Sequence, residues 1–213
     1  MKQLPIGILK KAARGIGYIS HPLRLRILEF LDVNGSSSVS AIAKGVDVEQ
    51  LFVSQSLRKL REAHLVKTTR RGLFIYYTIC EEYPASIFVC LRKWYGYLAN
   101  DFYFLQDNYK HILPADFTSM AAETIKLFAH VDKMRILDFL ILYGPSTVSA
   151  IAKGAKFSPL KVSQLLKRMR TDGLVISKRN GRFMIYESLA GIHVTAMKCI
   201  HRRYDSLKKK SDF

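Results

Sequence analysis

The chain is short of acid. Its 213 residues carry 17 Asp and Glu against 34 Lys and Arg, a formal net charge of +17. That balance points to a polyanionic partner, with nucleic acid first and an anionic membrane surface second. The bland alternative is a basic protein that is merely sticky. Cysteine is scarce as well: three residues, odd in number and far apart. This excludes a disulfide framework and fits a reducing cytoplasm. No apolar run reaches the roughly 18 residues that a membrane span needs. The opening stretch MKQLPIGILKKAARGIGYIS lacks an apolar core ending at a small-residue cleavage site, so no signal peptide is expected. There is no Ser-His-Asp set, glycine-rich phosphate loop, H-x-x-x-H or paired-carboxylate constellation. No enzyme activity, cofactor or metal is therefore expected.

What is present is a repeat. The phrase VSAIAKG stands at Val39–Gly45 and again at Val148–Gly154, 109 positions apart. Sliding the chain by that offset is the test for internal duplication. Arg26-Ile27-Leu28 falls on Arg135-Ile136-Leu137, Val53-Ser54-Gln55 on Val162-Ser163-Gln164, and Gly72, Phe74 and Tyr77 on Gly181, Phe183 and Tyr186. About half of the paired positions from His21 to Tyr77 are identical, without a gap. The expected organisation is one domain at 1–100, a connector at 101–114 continuing the last helix of the first copy, and a second domain at 115–213. Two copies are too few for a solenoid.

Within a copy, periodicity predicts the elements. Ile8, Ala12, Ile16 and Ile19 recur at helical spacing. Pro22 opens a second helix that buries Leu25, Leu28 and Leu31, with Ile27 flanking, and stops at Asn34-Gly35. Ser38 caps a short third helix with Val39, Ile42 and Ala43 on one face, and Gly45 is expected to end it. A fourth helix spans Gln50–Ala63, with Val53, Leu57 and Leu60 inward; its counterpart, Pro159–Asp172, opens on Ser158 as N-cap and Pro159 at the first helical position, with Val162, Leu166 and Met169 inward. The period then changes to two. Strands at Leu65–Thr69 and Leu73–Ile79 flank Arg70-Arg71-Gly72, and strands at Val175–Lys178 and Phe183–Glu187 flank Arg179-Asn180-Gly181. Last helices follow, from Pro84 to about Asn108 and from Ile192 to about Lys208. Helices followed by a basic hairpin describe a helix-turn-helix with a wing. The fold class is mainly α with small β wings: two winged helix-turn-helix domains arranged as an intramolecular pseudo-dimer.

Ser20-His21-Pro22-Leu23-Arg24-Leu25-Arg26-Ile27-Leu28, the run from Val53 to Val66 and Arg70-Arg71-Gly72-Leu73-Phe74-Ile75-Tyr76-Tyr77 together resemble the ArsR-like winged-helix transcriptional regulators. The second copy is similar through Val162-Ser163-Gln164-Leu165-Leu166 and Asp172-Gly173-Leu174-Val175. The resemblance implies a sequence-specific double-stranded DNA-binding regulator, a repressor, in the cytoplasm. It also implies that the two protomers of a homodimer are fused here. The chain would then act as a monomer reading two non-identical half-sites, further dimerisation and a small-molecule effector being open. Departures are present. The polar pair after Val-Ser is Gln55-Ser56 in one copy and Gln164-Leu165 in the other. His64 stands where the second copy has Gly173, and the metal-sensing ligand pattern is missing.

The residues expected at DNA are Gln50, Ser54, Gln55 and Arg58 in the first copy, and Ser158, Lys161, Ser163, Gln164 and Lys167 in the second. Arg70, Arg71, Arg179 and Arg182 are expected from the wings. Gln suits adenine and Arg guanine; the competing reading is a solvated polar face. Leu51 and Phe52, near the start of the first reading helix, count against DNA contact there: that half would bind weakly, or would instead meet a thymine methyl. Cys90 and Cys199, related by the offset, could form a redox pair or two small buried groups. His21 and His130, also related by the offset, would cap helix starts or hydrogen-bond in the core, the competing reading being a ligand role. The aromatic run Trp94–Tyr97 with Phe102–Phe104 could line an effector pocket or fill a core. The competing functions are a winged-helix protein-interaction module, such as an antitoxin-like or assembly partner, and a structured-RNA binder.

Overall fold

The computed structural model describes residues 2–80, 86–101 and 111–211. In chain order the first copy holds α1 (Ile6–Ile19), α2 (Pro22–Asn34), β1 (Ser37–Ser38), α3 (Val39–Val46), α4 (Gln50–Glu62), β2 (Val66–Arg71), β3 (Phe74–Ile79) and α5 (Ser86–Ala99). The second holds α6 (Ala115–Phe128), α7 (Val131–Tyr143), β4 (Ser146–Thr147), α8 (Val148–Ala155), α9 (Pro159–Thr171), β5 (Val175–Asn180), β6 (Phe183–Ser188) and α10 (Ile192–Ser211). From α1 to β3 every boundary recurs 109 residues later. The protein is mainly helical, with two three-stranded antiparallel wing sheets ordered β1-β3-β2 and β4-β6-β5. These are two winged helix-turn-helix units. The short strands β1 and β4 were not legible in the sequence, because two residues carry no periodicity.

By packing, the chain divides into residues 15–126 on one side and residues 1–14 with 127–213 on the other. The first winged helix thus shares a compact unit with residues 115–126, and the second with residues 1–14.

In the 15–126 unit, α2 buries Leu25, Ile27, Leu28 and Leu31, α3 buries Ile42, Ala43 and Val46, and α4 buries Val53, Leu57 and Leu60. Three helices with apolar residues at three- and four-residue spacing close one core. Pro22 sits in the first turn of α2, and Gly35, at φ 71, ends that helix by donating its N–H to Leu31 O. The Ser38 hydroxyl accepts the Ala41 N–H at 3.3 Å and caps α3.

Gly45 does not stop α3, contrary to the sequence expectation. The helix continues to Val46, and Asp47 takes the left-handed turn at φ 51. The glycine has a different cause. A Cβ on Gly45 would lie 2.0 Å from a ring carbon of Phe30, and one on Gly154 2.0 Å from a ring carbon of Phe139. The aromatic ring of the preceding helix occupies that space in both copies. Phe139 is 8% exposed and packs on Tyr143 at 4.8 Å. Gly154→Ala is therefore expected to destabilise its unit by about 1–3 kcal/mol. Gly45→Ala should cost less, because Phe30 is only half-buried and can swing outward. Urea titration of the two variants measures the difference.

A buried polar cluster ties α2 of this unit to its neighbours. The Arg92 guanidinium donates to Asp32 Oδ2 at 2.7 Å and to His111 O at 3.1 Å. Glu29 is fully buried; its Oε1 accepts the Leu113 N–H at 2.9 Å, while Oε2 has no partner. Burial pushes the Glu29 carboxyl up to about 7, against the opposing pull of the Leu113 N–H and Arg92. The folded state therefore keeps a proton that the unfolded chain releases from about pH 4.5. The stability tied to that proton is complete below pH 4.5 and is lost as pH rises through 7. Glu29→Gln should flatten the decline and leave the unit roughly 2 kcal/mol more stable than wild type at pH 8. Denaturant melts at pH 5 and pH 8 test this.

In the other unit, α7 buries Met134, Ile136, Leu137 and Leu140, α8 buries Ile151, Ala152 and Ala155, and α9 buries Val162, Leu166 and Met169. Asp138 is the offset partner of Glu29 and is also fully buried. Its Oδ2 accepts the Leu4 N–H at 2.9 Å, and its Oδ1 lies 2.5 Å from His201 Nε2. Arg135 donates to Leu4 O at 2.6 Å. Leu4 and Leu113 are themselves offset partners. In each unit a buried acid on the helix before the turn thus holds a backbone N–H from the segment that leads into the other copy.

His64 sits in the left-handed region at φ 56, where Gly173 takes φ 69 in the second copy. A non-glycine residue there is strained by about 1 kcal/mol. His64→Gly is expected to raise stability by up to that amount, as a melting curve would show.

Helix α5 ends at Ala99, where Asn100 takes φ 53 and the Asp101 N–H bonds to Gly96 O at 2.9 Å. The remainder of the expected last helix, to Asn108, lies outside the described residues. Trp94 and Tyr95 pack on Phe117 with ring centroids 5.1 and 5.0 Å apart, which is core packing. Phe102–Phe104 lie outside the described residues.

Candidate nucleic-acid interface

The two reading helices differ in how they begin. Helix α9 has Pro159 in its first turn and Ser158 as cap, its hydroxyl accepting the Lys161 N–H at 3.3 Å. Helix α4 starts at Glu49 with no side-chain cap. Both turn one apolar face inward, which leaves the opposite face to solvent. Gln50, Ser54, Gln55 and Arg58 are exposed on α4. Ser163, Gln164 and Lys167 are exposed on α9, with Ser158 exposed at its start. The pairs Ser54/Ser163, Gln55/Gln164 and Arg58/Lys167 therefore stand at equal positions on two equal helices.

Two of these residues are engaged locally, Ser158 as the sequence suggests and Lys161 in a way that it does not. The Ser158 hydroxyl is engaged in capping. Lys161 is half-buried, its Nζ 2.8 Å from Asp132 Oδ2 and 4.2 Å from the Phe157 ring centroid. Its charge is partly matched inside the protein. In the first copy the corresponding residue is Phe52, 50% exposed, beside Leu51 at 62%; Leu160, the partner of Leu51, is 70% exposed. Apolar exposure at the start of the reading helix is thus common to both copies.

Sequence reasoning passed over Lys133. Its Nζ donates to Asp172 Oδ2 and to Leu127 O, both at 2.7 Å. It lines a groove with Gln164, Lys167, Arg168, Thr171 and Asp172 along the outer edge of α9. Its signal would have been a cation in the first turn of α7, two helices before the reader. Arg170 reaches Ser177 Oγ at 3.3 Å and so fastens the reading helix to the wing.

The wings are longer and their tips shorter than expected. Arg71 pairs with Phe74 and Asn180 with Phe183, so Arg70, Arg71 and Arg179 lie in the strands, and the tips are Gly72-Leu73 and Gly181-Arg182. Glycine at φ 60 and φ 58 takes the first tip position, as a two-residue hairpin turn of the II′ kind requires. Arg70 Nε donates to Gly72 O and Arg179 Nε to Gly181 O, both at 3.1 Å, which fixes a guanidinium beside each tip. The Arg71 guanidinium lies 5.1 Å from the Tyr76 ring centroid and that of Arg182 5.0 Å from Phe183. All four arginines are exposed.

The remaining candidates separate. His130 caps α7, its Nδ1 accepting the Asp132 N–H at 3.2 Å. His21 makes no side-chain cap bond, and partial burial with the Arg24 and Lys59 charges lowers its pKa. Cys199 is half-buried and its Sγ accepts from Arg202 at 3.4 Å. The Cys90 side chain lies outside the described residues. Among the described residues no group of three or more His, Cys, Asp or Glu could hold a metal ion, and no helix is long and apolar enough to cross a membrane.

A short positioning helix, an exposed polar reading helix and a basic wing define a winged helix-turn-helix DNA-binding protein. Residues 21–68, in the first copy, match the family described as "Bacterial regulatory protein, arsR family". Over 99 residues the chain is 35% identical to the nodulation protein NolR of Rhizobium meliloti, covering 45% of this chain and 80% of that protein. Over 93 residues it is 30% identical to the biofilm growth-associated repressor of Agrobacterium fabrum (strain C58 / ATCC 33970), covering 42% of this chain and 79% of that protein. The chain belongs to the arsR family and is a DNA-binding transcriptional regulator, not an enzyme.

Proposed function

We propose that the protein is a cytoplasmic repressor in which one chain reads two non-identical DNA half-sites. The observation that carries this reading is the matched pair of exposed faces, Ser54-Gln55-Arg58 and Ser163-Gln164-Lys167, set among differing neighbours. The copies at 1–100 and 115–213, joined by 101–114, would act as an intramolecular pseudo-dimer. They would supply from one chain the two recognition helices that a palindromic site takes from two. Repression is supported by the Agrobacterium relative, a biofilm growth-associated repressor. Ser54, Gln55, Ser163 and Gln164 face base edges in the major groove. Arg58 and Lys167 serve either base edges or phosphates, and Arg70, Arg71, Arg179 and Arg182 neutralise phosphates. Gln50, Ser158 and Lys161 flank the helix starts, where backbone N–H groups favour phosphate. The reading requires no cofactor, metal or membrane.

A salt-titrated gel shift against duplex DNA, single strands and structured RNA tests this. The expected result is a duplex preference whose affinity falls steeply with salt, with a log–log slope of about −0.9 for each phosphate engaged. Equal affinity for RNA, or no salt dependence, would refute it. The exposed Leu51, Phe52 and Leu160 favour a second reading, a protein-interaction module. That reading predicts a protein complex insensitive to wing arginine substitutions.

A further inference from the structure

Among the positions at which the two wings differ, one stands at the tip of each hairpin. The second residue of each hairpin tip is Leu73 in the first copy and Arg182 in the second. Leu73 is 89% exposed; the adjacent Phe74 and Ile75, at 62% and 48%, are matched by Phe183 and Met184 at 51% and 39%, so the asymmetry rests on the tip residue itself. An apolar tip of this kind would ordinarily be a solubility liability. Here Arg70 is pinned to the tip carbonyl of Gly72 and Arg71 lies in the strand immediately before it. An apolar point flanked by guanidinium groups is the chemistry of a wedge. The cations hold the phosphates, and the leucine enters the minor groove and parts a base step.

Resting on the DNA-binding reading above, we propose that Leu73 is an apolar minor-groove wedge that unstacks and kinks the DNA at the first-copy end of the site only. At the other end Arg182 meets the backbone electrostatically and leaves the stack intact. The kink adds sequence preference without a base hydrogen bond. Pyrimidine–purine steps unstack at the least cost and are favoured under the first wing. The one-chain arrangement makes this asymmetry usable, because the two tips are free to differ.

The test uses the full chain on a duplex selected by it from a random pool. 2-Aminopurine is placed in turn along the minor-groove side, and bending is read by circular-permutation mobility. Wild type is expected to raise 2-aminopurine fluorescence at one step, near one end, and to bend the duplex. Leu73→Ala should abolish both signals and weaken binding roughly tenfold, the loss expected for one apolar side chain of this size, with the salt slope unchanged. Leu73→Arg should also abolish the fluorescence signal and steepen the slope by about 0.9. Both variants alter an exposed tip, so unchanged melting curves serve as the folding control. Undiminished bending and fluorescence in Leu73→Ala would overturn the wedge while leaving duplex binding standing, and would leave the apolar tip to a protein partner. Absence of salt-dependent duplex binding by wild type would overturn the underlying reading, and the wedge with it.

Discussion

Asp138→Ala is expected to destabilise the unit of residues 1–14 and 127–213 by about 3–5 kcal/mol, the largest single effect in the molecule. The substitution strands two buried groups at once. His201, 1% exposed, loses the carboxylate oxygen 2.5 Å from its Nε2, and the Leu4 N–H loses its acceptor at 2.9 Å. The removed carboxylate also leaves a cavity at a fully buried position. Asp138→Asn keeps the shape and one acceptor oxygen for Leu4, so its cost should be clearly smaller. Urea denaturation ranks the pair, and amide exchange at Leu4 locates the loss. Protection at Leu4 should fall in Asp138→Ala even where the rest of the unit remains folded, because Arg135 holds only its carbonyl.

The second large effect concerns binding. Reversing the two matched cations together, Arg58→Glu with Lys167→Glu, is expected to weaken duplex affinity by about 2–6 kcal/mol, at least roughly 30-fold. Both side chains are exposed, and Arg58 makes only a long pair with Glu62 at 3.8 Å. An exposed pair of that kind contributes little to folding, so the melting temperature should scarcely move. The single reversals are informative separately. If each copy reads its own half-site, each reversal should cost about half of the total, and each should alter protection on a different half of the site. A double reversal with wild-type affinity would remove the reading helices from the interface.

The repeat, the helices and the wings were legible in the sequence because each rests on periodicity, and one offset supplies two independent readings of the same pattern. Leu25, Leu28 and Leu31 mark α2, and Val53, Leu57 and Leu60 mark α4, at spacings that only a helix buries on one face. What was not legible depends on distance through space. Gly45 looked like a helix stop because it follows the last apolar pair of a short helix; the Phe30 ring that occupies the space beside it lies fifteen residues earlier on another helix. The Glu29–Leu113 and Asp138–Leu4 bonds join residues far apart in the chain, and an acid within an apolar run gives no hint of its partner. The candidate site was readable as a list of exposed polar residues. Ser158 was readable too, as the cap of the second reading helix; the engagement of Lys161 with Asp132 was not, because it joins residues on different helices.

Whether one chain reads two half-sites is settled most directly by stoichiometry together with a footprint. The intact chain is bound to its selected duplex, the complex mass is measured by light scattering, and hydroxyl-radical protection is mapped on both strands. The account predicts one chain per duplex and two protected patches about one helical turn, roughly 34 Å, apart, of unlike sequence. Arg58→Glu should erase one patch and Lys167→Glu the other. Two chains on a palindrome, or a single patch lost with only one of the two variants, would contradict it.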